Sequence, residues 1–90
     1  MALVAGKTVS ASGTGNTNHI TLPKGDHTVM VTASAWGGAK LQIGDGTNFV
    51  DHTTFAANGV AYVPGGMSYR LNVTSYNAAV ITLTAYPANG

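Results

Sequence analysis

Histidine and aspartate are the side chains of this chain that could do acid–base chemistry, and there are three of each. His19, His27 and His52 are the only imidazoles, and none lies in a motif with a serine and a following glycine turn of the kind that serine hydrolases use. Nucleophilic catalysis needs a nucleophile beside a base that a third group orients. We therefore interpret the three histidines as surface or half-buried residues, not as catalytic bases.

The aspartates are too few, and too well explained by turns, to indicate a hydrolase or a metal site. Glycoside hydrolysis needs two carboxylates across a cleft, and the chain offers Asp26, Asp45 and Asp51. The first two lie in predicted turns, where aspartate bonds to its own backbone. Residues 45–51 have the outline of a calcium loop, but calcium needs about six to eight oxygen ligands and this segment has few. With no cysteine for a thiolate site, the sequence predicts no metal, no cofactor and no enzyme activity.

Charge is scarce and scattered. Only 8% of the residues are charged, the net charge is +1, and the bases are Lys7, Lys24, Lys40 and Arg70. Nucleic-acid binding needs clustered Lys and Arg, and binding to a membrane surface needs a polybasic run. No apolar run approaches the roughly 18 residues of a membrane helix, and the first seven residues are too weakly apolar for a signal peptide. We therefore expect a soluble protein made in a cytoplasm, with neither nucleic acid nor membrane as a partner.

The elements that position these residues are strands, because apolar and polar residues alternate between turn signals about ten residues apart. The clearest strand is predicted over 27–36, with Val29 and Val31 on one face and Met30 and Trp36 on the other. Strands over 67–74 and 79–86 alternate in the same way. The residues predicted to point inward from these two strands are Met67, Tyr69, Leu71, Val73, Ile81, Leu83 and Ala85.

Seven or eight such strands joined by hairpins predict one all-β domain over residues 1–90. Asp45-Gly46 is a signal for a two-residue hairpin turn. The pattern favours an antiparallel two-sheet β-sandwich of jelly-roll type, with an immunoglobulin-like sandwich as the alternative. Residues 1–12 are predicted to be an extended N-terminal arm or an edge strand.

Large apolar residues on the outward faces indicate an interface. Met30 and Trp36 lie opposite one inward face, and Val80 and Tyr86 lie opposite another, whereas each strand of a sandwich should bury one face only. Arg70, alone on a polar strand face, either pairs with an aspartate across an interface or is solvated. The candidate interface residues are Leu3, Val4, Met30, Arg70, Trp36, Tyr76, Val80 and Tyr86.

Chain length also favours association. A chain of 90 residues buries an apolar area that about offsets the entropy of ordering it, and small domains usually add disulfides, metals or partners. Disulfides are excluded here and no cluster of metal ligands is recognisable. We therefore expect a homo-oligomer.

A series of short segments between residues 26 and 87 gives the chain a resemblance to a known family. They are Trp36-Gly37-Gly38, Leu41-Gln42-Ile43-Gly44-Asp45-Gly46-Thr47, Val63-Pro64-Gly65-Gly66, Tyr69-Arg70-Leu71-Asn72-Val73 and Ala79-Val80-Ile81-Thr82-Leu83-Thr84. Over this range the chain resembles the small β-sandwich capsid decoration (cement) and head-accessory proteins of tailed bacteriophages.

The resemblance implies a non-enzymatic virion structural protein. Such a protein is made in the host cytoplasm, trimerises at symmetry or pseudo-symmetry axes of the capsid surface, and stabilises the head by bridging subunits of the major capsid protein. No catalytic residue belongs to the pattern. The first dozen residues would suit an arm that ties one subunit to the next.

A carbohydrate-binding or receptor-binding adhesin or fibre module is the rival hypothesis. In that case Trp36, Tyr62, Tyr76 or Tyr86 would stack on sugar faces, and Asn and Asp side chains would bond the hydroxyls.

Overall fold

The computed structural model describes residues 7–77 and 79–87, which form β-strands and turns and contain no helix. No helix in this part of the chain could therefore cross a lipid bilayer. The strands are β1 (Thr8–Ala11), β2 (Gly15–Asn16), β3 (Ile20–Thr21), β4 (Lys24–Thr32), β5 (Gly38–Gly44), β6 (Phe49–Phe55), β7 (Gly59–Gly65), β8 (Ser68–Ser75) and β9 (Ile81–Pro87).

The strands form two antiparallel sheets packed face to face. Sheet A has the order β1-β9-β4-β7, and sheet B has the order β2-β8-β5-β6, with β3 also paired to β8. The chain changes sheet at most of its connections, and β2 and β3 together act as one interrupted strand. This is the strand order of a jelly roll. An immunoglobulin-like sandwich would place its first two strands in one sheet, whereas β1 and β2 lie in different sheets. The predicted all-β sandwich of jelly-roll type is confirmed.

The core lies between the sheets and takes one face of each long strand. Val29 and Val31 of β4, and Ile81, Leu83 and Ala85 of β9, are fully buried, as the alternation predicts. The largest enclosed side chains are Tyr69, Leu22, Leu41, Leu71, Ile81, Leu83, Val29 and Val31. Most of these side chains are of medium size, so the stability of the core comes from many similar contacts rather than from a few large ones.

The inward-facing residues of β8 begin at Tyr69, whereas the alternation predicts that they begin at Met67. Tyr69, Leu71 and Val73 are buried as predicted. The prediction for Met67 is wrong, because its side chain is 40% exposed. The strand begins at Ser68, so Met67 lies in the turn between β7 and β8.

The end of β4 also differs from the prediction. The sequence predicts a strand over 27–36, but β4 ends at Thr32. The backbone N–H of Ala33 donates to the side-chain Oδ1 of Asn58 at 2.8 Å and so leaves the ladder. Trp36 therefore lies in the loop between β4 and β5 rather than on a strand face.

Two predicted turns are different in the structure. Asp26 lies inside β4, not in a turn. The hairpin between β5 and β6 is a four-residue loop rather than a two-residue turn. The Asp45 Oδ1 atom accepts the backbone N–H groups of Thr47 at 2.9 Å and Asn48 at 2.7 Å, which stabilises the longer loop. These bonds to Asn48 and Thr47 lower the pKa of the Asp45 carboxyl.

One buried hydrogen bond joins the core to the end of β7. The backbone N–H of Gly65 donates to the Tyr69 hydroxyl at 3.1 Å. Gly65 has a φ of 73°, and a Cβ atom placed there would lie 2.2 Å from the Pro23 carbonyl oxygen. Glycine is required here because any side chain would clash with backbone as well as strain the left-handed conformation.

We expect Tyr69→Phe to lower the free energy of unfolding by about 1–3 kcal/mol, because the buried Gly65 N–H loses its acceptor. Burial, partly opposed by the Gly65 hydrogen bond, raises the pKa of Tyr69 above its ordinary value of 10.0. A group whose pKa rises on folding stabilises the fold below the unfolded pKa and loses that contribution as the pH rises. Urea unfolding of the native chain should therefore show a steeper loss of stability above about pH 10 than the variant shows.

Tyr62→Phe is the matched control, because the Tyr62 side chain is 75% exposed. Its free energy of unfolding at neutral pH should stay within about 0.5 kcal/mol of the native value. Equal losses in the two variants would contradict the role assigned to the Tyr69 hydroxyl.

Candidate functional surfaces

The candidate interface residues lie in three different places. Met30 and Tyr86 share the outer face of sheet A, and Arg70 lies on the outer face of sheet B. The remaining candidates lie elsewhere. Trp36, Tyr76 and Val80 lie in loops at one end of the sandwich, while Leu3 and Val4 fall outside the described residues.

The outer face of sheet A, called face A below, has no charged residue in its central rows, and the exposed Asp26 borders it at one end, near Thr28 and Tyr62. Its side chains alternate with the buried ones along each strand, and cross-strand pairing sets them in rows. Its members are Thr8, Ser10, Thr28, Met30, Thr32, Val60, Tyr62, Thr82, Thr84 and Tyr86. Threonine, tyrosine and aliphatic side chains therefore cover this surface.

Three exposed side chains of face A, those of Met30, Val60 and Tyr62, form an apolar patch, and the half-buried Tyr86 lies beside it. Met30 lies opposite Val60 in the β4–β7 pairing, and Thr28 lies between Tyr62 and Tyr86 in the next row. The exposed fractions are 39% for Met30, 48% for Val60 and 75% for Tyr62. Neighbouring strands are about 4.8 Å apart, so these side chains form one continuous surface.

Sequence reasoning named only part of this patch as an interface. Met30 and Tyr86 are among its candidates, but Val60 is absent and Tyr62 is named only for sugar stacking. Alternation with the buried Ala61 and Val63 could have placed both outward. That β7 borders β4, and so brings them beside Met30, follows only from the topology.

The loops that contain Trp36 and Tyr76 close one end of the core. The Trp36 side chain is partly buried against the core cluster, and so is that of Tyr76. The indole Nε1–H donates to Asn58 Oδ1 at 2.7 Å, the same oxygen that accepts the Ala33 N–H. Asn77 Nδ2 lies 3.4 Å from the Trp36 carbonyl oxygen. Trp36 thus ties three loops together.

The histidines lie apart from one another. His27 is buried at one end of β4, and its Nδ1 donates to the Gly25 carbonyl oxygen at 2.7 Å. His52 lies on β6, and Thr53 Oγ1 is its nearest side-chain partner at 3.0 Å. His19 lies between β2 and β3, with its ring near that of Phe49. Over residues 7–77 and 79–87, no three His, Cys, Asp or Glu side chains are grouped as metal ligands would be.

The outer face of sheet B, called face B below, carries a connected polar network. Arg70 Nε donates to Gln42 Oε1 at 2.8 Å, and Gln42 Nε2 donates to Asp51 Oδ1 at 2.9 Å. Lys40 Nζ donates to Asp51 Oδ2 at 3.2 Å as an exposed ion pair. The Gln42 amide and then Lys40 lower the pKa of the Asp51 carboxyl. Exposed pairs of this kind add about 0–1 kcal/mol, so the network orients side chains more than it stabilises the fold.

A β-bulge places Asp51 in this network. In the β5–β6 pairing Leu41 lies opposite Thr53, but Gln42 lies opposite Asp51, so His52 is the extra residue. A regular ladder would pair Gln42 with His52 and turn Asp51 toward the other side of the sheet. The alternation of apolar and polar residues in the sequence does not indicate this bulge.

The Phe49 ring lies on face B beneath Arg70. The Arg70 Cζ atom is 3.9 Å from the centroid of the Phe49 ring. The ring has room because Gly44 lacks a side chain: a Cβ there would lie 2.7 Å from Phe49 Cδ2. The His19 ring is also close to Phe49, with 5.7 Å between the ring centroids and an angle of 45° between the rings. The group formed by Arg70, Gln42, Asp51 and Phe49 is called the arginine platform below.

Comparison with family models, with curated proteins and with solved structures gives no match for this chain. Its function must therefore be argued from the two faces themselves.

Trp36→Ala should lower the free energy of unfolding by roughly 2–3 kcal/mol, below the range of about 3–5 kcal/mol for a fully buried aromatic residue. The reason is its position against the core and its bond to Asn58. Val50→Ala is the control, because Val50 is 68% exposed on β6, and it should cost about 0.5 kcal/mol or less. Chemical unfolding at one fixed chain concentration measures both. A Trp36→Ala variant as stable as the native chain, but unable to associate, would make Trp36 an interface residue instead.

Proposed function

We propose that this chain is a non-enzymatic structural protein that associates with copies of itself through face A. Its proposed place is the surface of a virus particle, where it acts as a capsid decoration protein. The observation that carries the proposal is the exposed patch of Met30, Val60 and Tyr62, with the half-buried Tyr86 beside it, on a face whose central rows bear no charge.

The composition of face A is that of an interface centre. Interface centres are depleted in charged residues and enriched in tyrosine and methionine. Continuous apolar patches on a soluble surface mark interaction sites more often than isolated exposed residues do. Face A meets both criteria, whereas face B carries Lys40, Asp51 and Arg70.

A second copy of the chain is the occupant that the electrostatics favour. Like charges brought opposite each other oppose association, and a charged face meets its own charge when two copies pack together. Face A has no such charge at its centre, so copies can bury it against one another without repulsion. Apolar area buried between copies would also add to the limited burial that one small chain achieves alone.

The virion role rests on the fold and on the resemblance in the sequence. Jelly rolls occur in viral capsid proteins and also in lectins, so the fold by itself is an analogy. The trimer, and the bridging of major capsid protein subunits, come from the resemblance to phage decoration proteins. In this proposal three chains bury face A about a common axis and contact the shell with the surfaces that remain.

A sugar-binding module is the second candidate, and one observation favours it. Tyr62 and Tyr86 lie on the same face on either side of Thr28, so their rings could stack on a saccharide. Trp36 and Tyr76 are partly buried against the core and contribute less to such a site. A glycan array distinguishes the candidates, because specific hits that Tyr62→Ala removes would favour sugar binding over association.

Val60→Lys should dissociate the oligomer, because it places a charge within the exposed patch, next to Met30. Val50→Lys is the matched control: Val50 is 68% exposed and lies on β6, away from face A. We expect sedimentation velocity at micromolar concentration to show an oligomer, of three chains, for the native protein and for Val50→Lys. Val60→Lys should weaken association by about tenfold or more. A native chain that sediments as a monomer, or equal behaviour of the two variants, would overturn the proposal.

The virion role has its own test. Electron cryo-microscopy of particles assembled with and without the chain should show trimeric density on the shell only when the chain is present. Particles that contain the chain should release their contents at a higher temperature. Particles that neither bind the chain nor gain stability from it would refute the decoration role, while leaving the association through face A unaffected.

A further inference from the structure

We propose that the arginine platform, together with Asn16 and Asn72, is a binding site for an acidic saccharide, with Arg70 holding its carboxylate. The site lies on face B, so it does not depend on association through face A, which is on the opposite side of the sandwich.

The first argument is the geometry of Arg70. Its Nε donates to Gln42 and its Cζ lies 3.9 Å from the centroid of the Phe49 ring, so two independent contacts fix the guanidinium. Within residues 7–77 and 79–87 the terminal nitrogens of Arg70 make no hydrogen bond and no ion pair. Those nitrogens carry the paired N–H groups that bind a carboxylate in bidentate fashion. An arginine held in this way loses little freedom when it binds.

The second argument is that the adjacent acid does not neutralise Arg70. Both oxygens of Asp51 are occupied, one by the Gln42 amide and the other by Lys40. Two cations and one carboxylate share the face, which leaves one positive charge, and Arg70 is the cation without an acidic partner. An anion is therefore the ligand that this surface would attract.

The third argument concerns hydroxyl groups. Asn72 lies two residues from Arg70 on the same face of β8, a separation of about 7 Å along a strand. Asn72 Nδ2 donates to Asn16 Oδ1, which leaves an amide N–H of Asn16 and the carbonyl oxygen of Asn72 available. A donor and an acceptor side by side suit the adjacent hydroxyls of a sugar ring. These amides distinguish a sugar acid from a simple carboxylate.

The test is a titration followed by two-dimensional NMR, with oligogalacturonate as the acidic probe and a galactose oligosaccharide of equal length as the neutral one. We expect oligogalacturonate to bind and to shift the amide signals of residues 70–72. The neutral oligosaccharide should bind about tenfold or more weakly, because it lacks the charged acceptor for Arg70. Equal affinity for the two sugars, or no binding of oligogalacturonate at millimolar concentration, would overturn the proposal.

Arg70→Gln and Lys24→Gln form the matched pair of variants. Each removes one positive charge, but the exposed Lys24 lies on β4, away from face B. Arg70→Gln should lower the affinity for oligogalacturonate about tenfold or more, and Lys24→Gln should leave it within about twofold. Arg70→Lys should bind with intermediate affinity, because lysine lacks the bidentate fork. If the Arg70→Gln and Lys24→Gln variants lost the same affinity, binding would depend only on the net charge of the protein, and the proposed site would be refuted.

Asn72→Ala keeps the proposal open to refutation even if a change at Arg70 disturbs folding. It should weaken oligogalacturonate binding but leave the much weaker binding of acetate unchanged, since acetate has no hydroxyls. Two outcomes would oppose a sugar acid as the ligand: loss of acetate binding in this variant, or tighter binding of inorganic phosphate or an acidic peptide than of the saccharide.

Discussion

Burial of one face of each long strand between two sheets is the constraint on which this structure depends. The side chains that fill the space are mostly valine, leucine, isoleucine and alanine, with Tyr69 as the largest. No disulfide is available to reinforce them, since the chain has no cysteine. The inner faces therefore have to be mainly apolar, although His27 and Ser68 are also buried. Whatever else the protein does has to be done with the outer faces and the loops.

The two outer faces have opposite chemistry, although they belong to the same small domain. Face A presents threonine, tyrosine and aliphatic side chains with no charge at its centre, while face B presents an arginine, a lysine and an aspartate joined through Gln42. A surface of the first kind gains free energy by leaving water. A surface of the second kind stays hydrated and recognises particular polar groups. Assembly on one side and recognition on the other are therefore compatible within one sandwich.

Small local features determine what face B can do. The bulge at His52 turns Asp51 to the outside, and the absence of a side chain at Gly44 leaves room for the Phe49 ring under Arg70. With a regular ladder and a side chain at position 44, the same residue types would not form a platform. One side chain also organises the loops around Trp36. Asn58 accepts hydrogen bonds from both the Ala33 backbone N–H and the Trp36 indole, and this ends β4 at Thr32.

The sequence by itself determined the fold class and most of the core. Alternation is a local property of the extended backbone, so it indicated that Val29, Leu71 and Leu83 point inward without knowledge of their neighbours. Tertiary structure decided which strands lie side by side, and with that the members of each surface: Tyr62 beside Thr28, and Gln42 between Arg70 and Asp51. It also decided the end of β4 and the length of the Asp45 loop, both set by side-chain bonds to the backbone. The physical reason is that alternation assigns a residue to one side of its strand, whereas a surface is built from contacts between residues far apart in the chain.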